Sequence, residues 1–461
     1  MQLSGPLFLF LFFPLSFALV LPVPQKFRPC TFTLLSALWY VLANLQSPVS
    51  IGVIALLAAW TLVLSRHPSP QGKRALLALG ITPILAAFFV LRILFECHVL
   101  PFAYPMGMGL VSLGALSVLL DGYRGDAERR PAALVLHYLL FFPALTLGPI
   151  VRWAEITTAP RTIAPSLERF CSGARLYMAG FIKRLVAAAT LFHTIAQALN
   201  YGARLPWLTL AFFLPLAYFF VFFFLSGSAD LARGVSAMYG VQDPVGSLPA
   251  GTPLPQRLLT RPLPSLTAYF EHYVAEPLRA RTGRVGALLS PVLVLTLTLL
   301  LFRMHPSVLL AALPLAVWTL ASVCFAPKTL HRGTRAALHI ICTLLCSLPL
   351  FAMLLANPSA LLSRFEASTS EVTGFFYYIN NSASGTRYLL IGAILLLLYT
   401  AVQTPPLRRI RHVHGRAHTV LEIGTLLLLF AGFLIALIYF LPQMPYYAEH
   451  LGPAPIVLGG A

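Results

Sequence analysis

Long apolar runs separated by short polar segments dominate this chain. Most runs hold roughly 17 to 25 residues, the length of helix that crosses the hydrocarbon core of a bilayer. A backbone in hydrocarbon must satisfy its own hydrogen bonds, so we interpret the runs as transmembrane helices. The pattern predicts roughly 12 spans, at residues 5–22, 31–46, 49–65, 75–95, 104–121, 175–200, 206–240, 285–302, 307–326, 336–356, 388–404 and 418–441.

One apolar segment, residues 131–151, departs from this alternation because both of its flanks are basic. The simplest account is a segment that enters and leaves the membrane on the same side. Pro143, Gly148 and Pro149 are expected to break its helix. A broken helix at membrane depth is tolerated where protein or a water-filled cavity satisfies the freed backbone groups. We therefore predict a re-entrant segment that lines the functional cavity.

The composition supports an all-α polytopic membrane protein. Of the 461 residues, 58% are hydrophobic and only 10% are charged, whereas about 25% of the residues in soluble domains are charged. We expect residues 1–461 to form a single membrane-embedded domain. The first apolar run lacks a basic segment before it and a convincing cleavage site, so we expect a first span and not a signal peptide.

The net charge of +18 is explained mostly by topology and does not predict a nucleic-acid partner. Lys and Arg gather in alternate loops, and the loops near residue 47 and at 96–105, 201–206 and 357–386 nearly lack them. This is the positive-inside pattern, which makes the basic loops cytoplasmic. Attraction to anionic membrane lipid is a secondary effect.

The six cysteines show no CxxC pair and no metal-type spacing with histidine. We expect unpaired and mostly buried thiols, and no metal site.

Several segments, in chain order, together resemble the membrane-bound O-acyltransferase superfamily, and within it the branch of the alginate O-acetylation membrane subunit. They are LFLFLFFPLSFALVLP near the start, PMGMGLVSLGALSVLLDGYRGD at 105–126, FFPALTLGPIVRW at 141–153, GARLYMAGFIKRLVAAATL at 173–191 and FLSGSADLARGVSAMYG at 224–240. The resemblance covers residues 5–326, and the predicted helices at 336–441 follow it.

The resemblance implies a catalytic role for His305. The family carries its catalytic histidine between two apolar helices, and His305 stands at that place, between Met304 and Pro306. A neutral imidazole suits the task, because its unperturbed pKa is about 6.5 and general-base help raises a rate roughly 10² to 10⁴-fold. The alternative is a polar residue that caps a helix hairpin. Arg303 is a candidate to stabilise charge on a thioester carbonyl oxygen, or else a snorkelling interfacial arginine.

Three further cations are candidates for binding coenzyme A phosphates, because they follow the broken segment on the predicted cytoplasmic side. They are Arg152, Lys183 and Arg184. Positive-inside topology explains the same cations equally well.

Asp121 and Asp230 interrupt or end apolar helices, each with an arginine three residues later, Arg124 and Arg233. Buried structural ion pairs or hydrogen bonds between helices are expected for both aspartates.

Two positions depart from the family pattern. In TRPLPSLTAYFEHYVAEPL, at 260–278, Leu263 stands where the family has a histidine, and Phe224 stands where an aspartate is usual. These departures concern activity and leave the expected fold unchanged.

The resemblance implies an O-acyltransferase of a bacterial inner membrane, which moves acetyl groups from cytoplasmic acetyl-CoA to O-acetylate an exported polysaccharide. No bound cofactor is expected. The implied partners are an extracytoplasmic acetyltransferase or polysaccharide synthesis proteins. The first alternative is an inactive scaffold or export subunit, which Leu263 favours. A transporter is the second alternative, and the chain lacks the internal repeat expected of one.

Overall fold

The computed structural model describes residues 3–45, 47–66, 74–97, 99, 102, 104–126, 131–145, 148–158, 162–192, 205–241, 254–261, 263–302, 304, 306–324, 338, 341–350, 365–366 and 416–440. The regular structure in these ranges is helical, apart from a parallel pairing of two residues each between β1 (Leu205–Pro206) and β2 (Phe365–Glu366).

The helices before residue 200 are α1 (Phe8–Val20), α2 (Arg28–Ala43), α3 (Pro48–Arg66), α4 (Arg74–Glu96), α5 (Met108–Arg124), α6 (Ala132–Leu139), α7 (Phe142–Leu145), α8 (Trp153–Thr158) and α9 (Leu167–Ile182). A π-helical segment, Lys183–Ala188, continues α9.

The later helices are α10 (Trp207–Met238), α11 (Leu254–Thr260), α12 (Pro264–Phe270), α13 (Glu276–Thr282), α14 (Arg284–Phe302), α15 (Pro306–Cys324), α16 (Ile341–Leu350) and α17 (Arg416–Ile435). A π-helical turn, Glu271–Ala275, joins α12 to α13.

Within the described ranges, four helical stretches are long and apolar enough to cross a membrane. They are Pro48–Arg66, Leu77–Phe95, Leu214–Met238 and Arg284–Phe302. Many outward-facing side chains on these and neighbouring helices are large and apolar, as a lipid-facing surface requires, for example Leu56 and Val317. The structure supports an integral membrane protein, and the count of roughly 12 spans stays a prediction.

Four glycines bring the backbones of α9 and α10 into direct contact. Gly173 meets Gly234, and Gly180 meets Gly227. On each helix the two glycines are seven residues apart, or about two helical turns. A Cβ atom at Gly173 would lie 2.6 Å from the Gly234 carbonyl oxygen, and one at Gly227 would lie 2.9 Å from the Gly180 carbonyl oxygen. The two backbones therefore touch without side chains between them, as in small-residue crossings of membrane helices.

The segment at 131–151 is broken and folds back on itself. Its first helix ends at Leu139, before Pro143, which lies in the first turn of α7. We expected Pro143 to end a helix, but it stands where proline is tolerated, at a helix start. The Tyr138 hydroxyl donates to the Val151 carbonyl at 2.8 Å and thus joins the two limbs. This return path is what a re-entrant segment needs.

An aromatic cluster holds the folded segment against the N-terminal helices. Phe142 stacks on Phe32 with ring centroids 5.2 Å apart, and Tyr239 meets Phe32 edge-on at 4.9 Å. The cluster also includes Trp39, which is fully buried. Aromatic contacts of this kind add about 0.5–1.5 kcal/mol each beyond the area that they bury.

The expectation of mostly buried thiols was wrong for the described cysteines. The five cysteines whose side chains the structure describes are unpaired, but only Cys342 and Cys346 are buried, whereas Cys30, Cys97 and Cys171 are exposed. An exposed thiol on an outward helix face of a membrane protein meets lipid, so burial within the protein is not needed to keep it from water.

The glycine crossing generates a stability prediction. Gly234→Ala places a methyl carbon only 2.6 Å from the Tyr177 backbone nitrogen, which is closer than such atoms normally approach. Because backbone cannot move aside cheaply, we expect a loss of about 1–3 kcal/mol and a lower melting temperature in detergent.

Gly52→Ala is the matched control, because nothing lies within 4 Å of a Cβ added there. Alanine favours a helix over glycine by up to about 1 kcal/mol, so the control should be neutral or stabilising. Equal melting temperatures for the two variants would contradict the close crossing.

Candidate active-site cavity

A narrow cavity lies where α4, α5, the broken segment and α12 meet the end of α14. It has about 40 Å³ of space open to water, which is enough for a few water molecules. Its lining is mostly apolar and comprises Phe88, Arg92, Tyr104, Pro105, Gly107, Met108, Gly109, Leu110, Leu145, Gly148, Ile150, Leu263, Ser265, Leu266, Leu301 and Phe302.

The broken segment forms one wall of this cavity, as the sequence predicted. Leu145, Gly148 and Ile150 line it, and Pro149 lines a smaller void beside it. The Ile150 N–H donates to Ser265 Oγ at 3.2 Å, so a side chain of α12 satisfies one backbone donor that the broken helix frees. This contact joins the two walls of the cavity.

The position that departs from the family pattern faces the same cavity. Leu263 is buried, with 6% of its surface exposed, and lies at the start of α12. Phe302, the last residue of α14, lines the opposite side. His305 and Arg303, the predicted catalytic and charge-stabilising residues, lie outside the described residues.

Arg92 is a cavity residue that the sequence analysis missed. It lies in the apolar stretch Leu77–Phe95 and is only 3% exposed. Its Nη2 donates to the Phe302 carbonyl oxygen at 2.6 Å, and its guanidinium carbon lies 5.1 Å from the Tyr104 ring centroid. A single arginine inside an apolar run is a recognisable signal in sequence, but it carries no information about its partners.

These contacts stabilise the buried charge of Arg92. A hydrogen bond from a charged group contributes about 1.5–3 kcal/mol, and a desolvated cation–π contact contributes about 2 kcal/mol.

Asp121 is held by a buried hydrogen-bond network, which is one of the two arrangements considered from the sequence, and not by an ion pair with Arg124. Its Oδ1 accepts from the Tyr273 hydroxyl at 2.6 Å, and its Oδ2 accepts from the Ala154 N–H at 2.8 Å. Ser117 Oγ accepts from the Trp153 N–H at 2.8 Å. The end of α5 therefore caps α8 immediately after the broken segment.

The Tyr273 phenol is kept protonated in this network. Burial raises the pKa of Tyr273, and the charge of the Asp121 carboxylate raises that pKa further. Arg124 packs its guanidinium over the Tyr273 ring, 5.3 Å from the centroid, and its Nη1 lies 3.3 Å from His272 Nε2. Arg124, three residues after Asp121, therefore contacts a distant tyrosine ring and a histidine instead of the nearby aspartate.

Three possible ligand groups, on Asp121, Asp126 and His272, lie within 4.8 Å of one another. Both carboxylate oxygens of Asp121 already accept hydrogen bonds from protein groups, and the Arg124 cation contacts His272. A nearby cation and occupied oxygens oppose metal binding, so we assign no metal to this group.

Asp230 forms the expected ion pair with Arg233 and a shorter one with Lys183. Asp230 lies 3.5 Å from Arg233, as predicted, and its Oδ2 also lies 2.5 Å from Lys183 Nζ. Arg184 turns to the other side, where Nη1 donates to Ser228 Oγ at 2.9 Å. Its guanidinium packs over Phe224 at 4.8 Å, so an aromatic face accepts the cation where the family has an aspartate.

Arg152 lies in a different place from Lys183 and Arg184. Its Nε donates to Glu155 Oε1 at 2.8 Å, and about a third of its side chain is exposed. The three predicted phosphate ligands are thus engaged by two separate parts of the fold, the α8 turn and the α9–α10 crossing.

The Asp121 network generates a second prediction. Tyr273→Phe removes the hydroxyl that donates to Asp121 and contacts Ser117. A buried carboxylate then loses a donor, and we expect a destabilisation of about 1–3 kcal/mol, measured by thermal unfolding in detergent. Tyr123→Phe is the control. Tyr123 lies two residues after Asp121 on α5, and its substitution should change stability by less than about 0.5 kcal/mol. Similar losses in both variants would show that the network contributes nothing specific.

No protein-family model matches the chain. Curated relatives do match it, and they carry the name "Probable alginate O-acetylase AlgI". The protein of Pseudomonas fluorescens is 26% identical over 251 residues, which cover 52% of this chain and 49% of that protein. The protein of Pseudomonas putida is 24% identical over 263 residues, which cover 52% and 53%.

A third relative, from Pseudomonas syringae pv. tomato, is 30% identical over 138 residues, which cover 30% of this chain and 26% of that protein. The chain thus spans about half the length, or less, of the curated relatives it matches. The resemblance predicted from the sequence is confirmed: over about half of its length the chain is similar to proteins named alginate O-acetylase AlgI.

Proposed function

We propose that the protein is a membrane O-acyltransferase that moves acetyl groups from cytoplasmic acetyl-CoA toward a hydroxyl acceptor on the outer side. The observation that carries this proposal is the cavity between the broken segment and α12. Residues within 105–110 and 145–150 line it, and both ranges belong to segments on which the family resemblance rests. Phe302, at its edge, is the last residue of the helix that precedes His305 in the sequence. A mostly apolar cavity suits acyl transfer, because it limits the access of water to the reacting thioester.

His305 acts as the general base in the proposed reaction. The acceptor oxygen attacks the thioester carbonyl carbon while the imidazole takes the hydroxyl proton. The tetrahedral intermediate then expels the coenzyme A sulfur as the carbon–sulfur bond breaks, and the imidazolium returns the proton to that sulfur. The products are an acetyl ester and free coenzyme A. In this scheme Arg303 is a candidate to bind the carbonyl oxygen, as the sequence suggested.

The donor approaches from the cytoplasmic side, where Arg152 and Lys183 keep about a third of their side chains exposed. We assign these two cations to the phosphates of coenzyme A. Arg184 assists by orienting the helix that carries Lys183, through its contacts with Ser228 and Phe224.

The final acceptor in this proposal is an exported polysaccharide, reached through an extracytoplasmic acetyltransferase or polysaccharide synthesis proteins. The names of the relatives support a polysaccharide acceptor, since they refer to alginate. A multi-pass protein of a bacterial inner membrane fits this role.

The second candidate is an inactive scaffold or export subunit. One observation favours it: Leu263 places an alkyl side chain in the cavity wall where the family has a histidine. An apolar side chain there cannot exchange a proton or accept a hydrogen bond.

His305→Ala tests the proposal in liposomes with radiolabelled acetyl-CoA on the face carrying the basic loops. We expect coenzyme A release to fall about 10² to 10⁴-fold, because general-base help is lost. Met304→Ala, at the preceding residue, is the control and should retain turnover. Melting temperatures of all variants are measured, so that misfolding is recognised.

Wild-type turnover that His305→Ala leaves unchanged would remove His305 from the mechanism. If the wild type releases no coenzyme A with glycan acceptor and extracytoplasmic partners supplied, the acyltransferase proposal fails. In that case Leu263→His is the informative variant, since turnover gained only with this histidine would support the inactive scaffold.

A further inference from the structure

A second void, an apolar groove, lies on α9 between α1 and α17. Its floor is formed by Tyr177 and Met238, which are 5% and 4% exposed. Partly exposed side chains form its rims, among them Leu9, Ala174 and Phe433. The groove encloses about 170 Å³, whereas the candidate active-site cavity has about 40 Å³. Because no residue lines both voids, the groove is a separate feature of the fold.

The groove offers water no hydrogen-bond partner among its described lining residues. Tyr177 alone of these residues has a polar side chain, and its hydroxyl donates to the Leu3 carbonyl oxygen at 2.7 Å. A buried water molecule needs about two to four polar partners, and an apolar void of about 150 Å³ stays dry but admits a benzene-sized molecule. The walls of an empty void lose dispersion contacts. An apolar occupant is therefore favoured.

The surface around the groove meets lipid. Phe10 and Leu434 follow the rim residues Leu9 and Phe433 in sequence, and 61% and 39% of their surfaces are exposed. Large apolar side chains on the outside of a membrane protein face acyl chains, and the groove opens among them. The apolar molecule with access to this opening is membrane lipid.

The charge at one end of the groove suits a phospholipid headgroup. Residues 21–28 and 162–169 meet where Arg28 Nη1 lies 3.5 Å from the Ile163 carbonyl oxygen, on the predicted cytoplasmic side. These two stretches hold three cations and one carboxylate, namely Lys26, Arg28, Arg169 and Glu168. A surplus of cations at the membrane surface attracts lipid phosphates. Arg169 precedes Ala174 by five residues, or about 7.5 Å along α9, so a chain that descends from this end reaches the groove.

We propose that the groove binds one acyl chain of a membrane phospholipid, whose phosphate lies at the basic ends of α1 and α9. The chain fills the space between α1 and α17. It thereby completes the packing of α17 on α9, where the Phe433 and Phe181 ring centroids lie 4.9 Å apart. This inference does not depend on the proposed acyltransferase function.

The competing explanation is a packing defect that lipid enters no more than it covers any other apolar surface. The two explanations differ in stoichiometry. A site takes up one lipid and then saturates, whereas contact with bulk lipid grows in proportion to the lipid added.

The test uses the purified full-length protein, freed of lipid in detergent and titrated with phosphatidylglycerol that carries a diazirine in one acyl chain. After illumination, mass spectrometry locates the label. We expect label on the groove residues of α9 and α17 to saturate near one lipid per protein and to be displaced by unlabelled phosphatidylglycerol. Label on the exposed face of α3 should rise in proportion to the added lipid.

Ala174→Phe fills the groove from one rim. We expect an apparent affinity about tenfold lower, as for the loss of about two buried methylene groups. Added phosphatidylglycerol should raise the melting temperature of the wild type and not that of this variant. Ala55→Phe is the matched control, because it adds the same ring to an exposed position of α3. It should leave the saturable labelling unchanged.

Groove labelling that never saturates, or that saturates equally in the wild type and Ala174→Phe, would overturn the inference. If Ala174→Phe does not fold, Phe433→Trp fills the groove from the opposite rim and replaces it in the same comparison.

Discussion

The direct backbone contact between α9 and α10 is the constraint on which the surrounding helices and their ion pairs depend. Membrane helices gain no hydrophobic free energy from leaving lipid for each other, so close packing and polar contacts must hold them together. Four glycines let the two backbones touch, and this approach brings Lys183 to Asp230 and Arg184 to Ser228. With larger residues in their place, the helices would separate and these charges would be left unsatisfied in a low-dielectric setting.

The broken segment is stabilised in the same way, by groups from elsewhere in the chain that satisfy a backbone that cannot satisfy itself. Ser265 accepts from Ile150, and Ser117 and Asp121 accept from the first amides of α8. Tyr273 links this arrangement to the π-helical turn after α12. The cavity lies between these fixed points, so its shape is maintained by hydrogen bonds as well as by apolar packing.

Cations between the helices are stabilised in two ways. Lys183 and Arg233 both lie beside the Asp230 carboxylate at a helix crossing, at 2.5 Å and 3.5 Å. Arg92 instead donates to the Phe302 carbonyl oxygen and packs against the rings of Tyr104 and Phe95.

The apolar runs, the break at 131–151, the family resemblance and the pairing of Asp230 with Arg233 were determined by the sequence alone. Hydropathy, helix breakers and three-residue spacing are local properties, so they can be identified from the sequence without a structure. The structure decided the partners of Asp121 and Arg92, which lie 152 and 210 residues away at Tyr273 and Phe302. Helical periodicity indicates which face of a helix is apolar. Which distant atom meets a buried charge depends on how the helices cross, and no local pattern encodes that crossing.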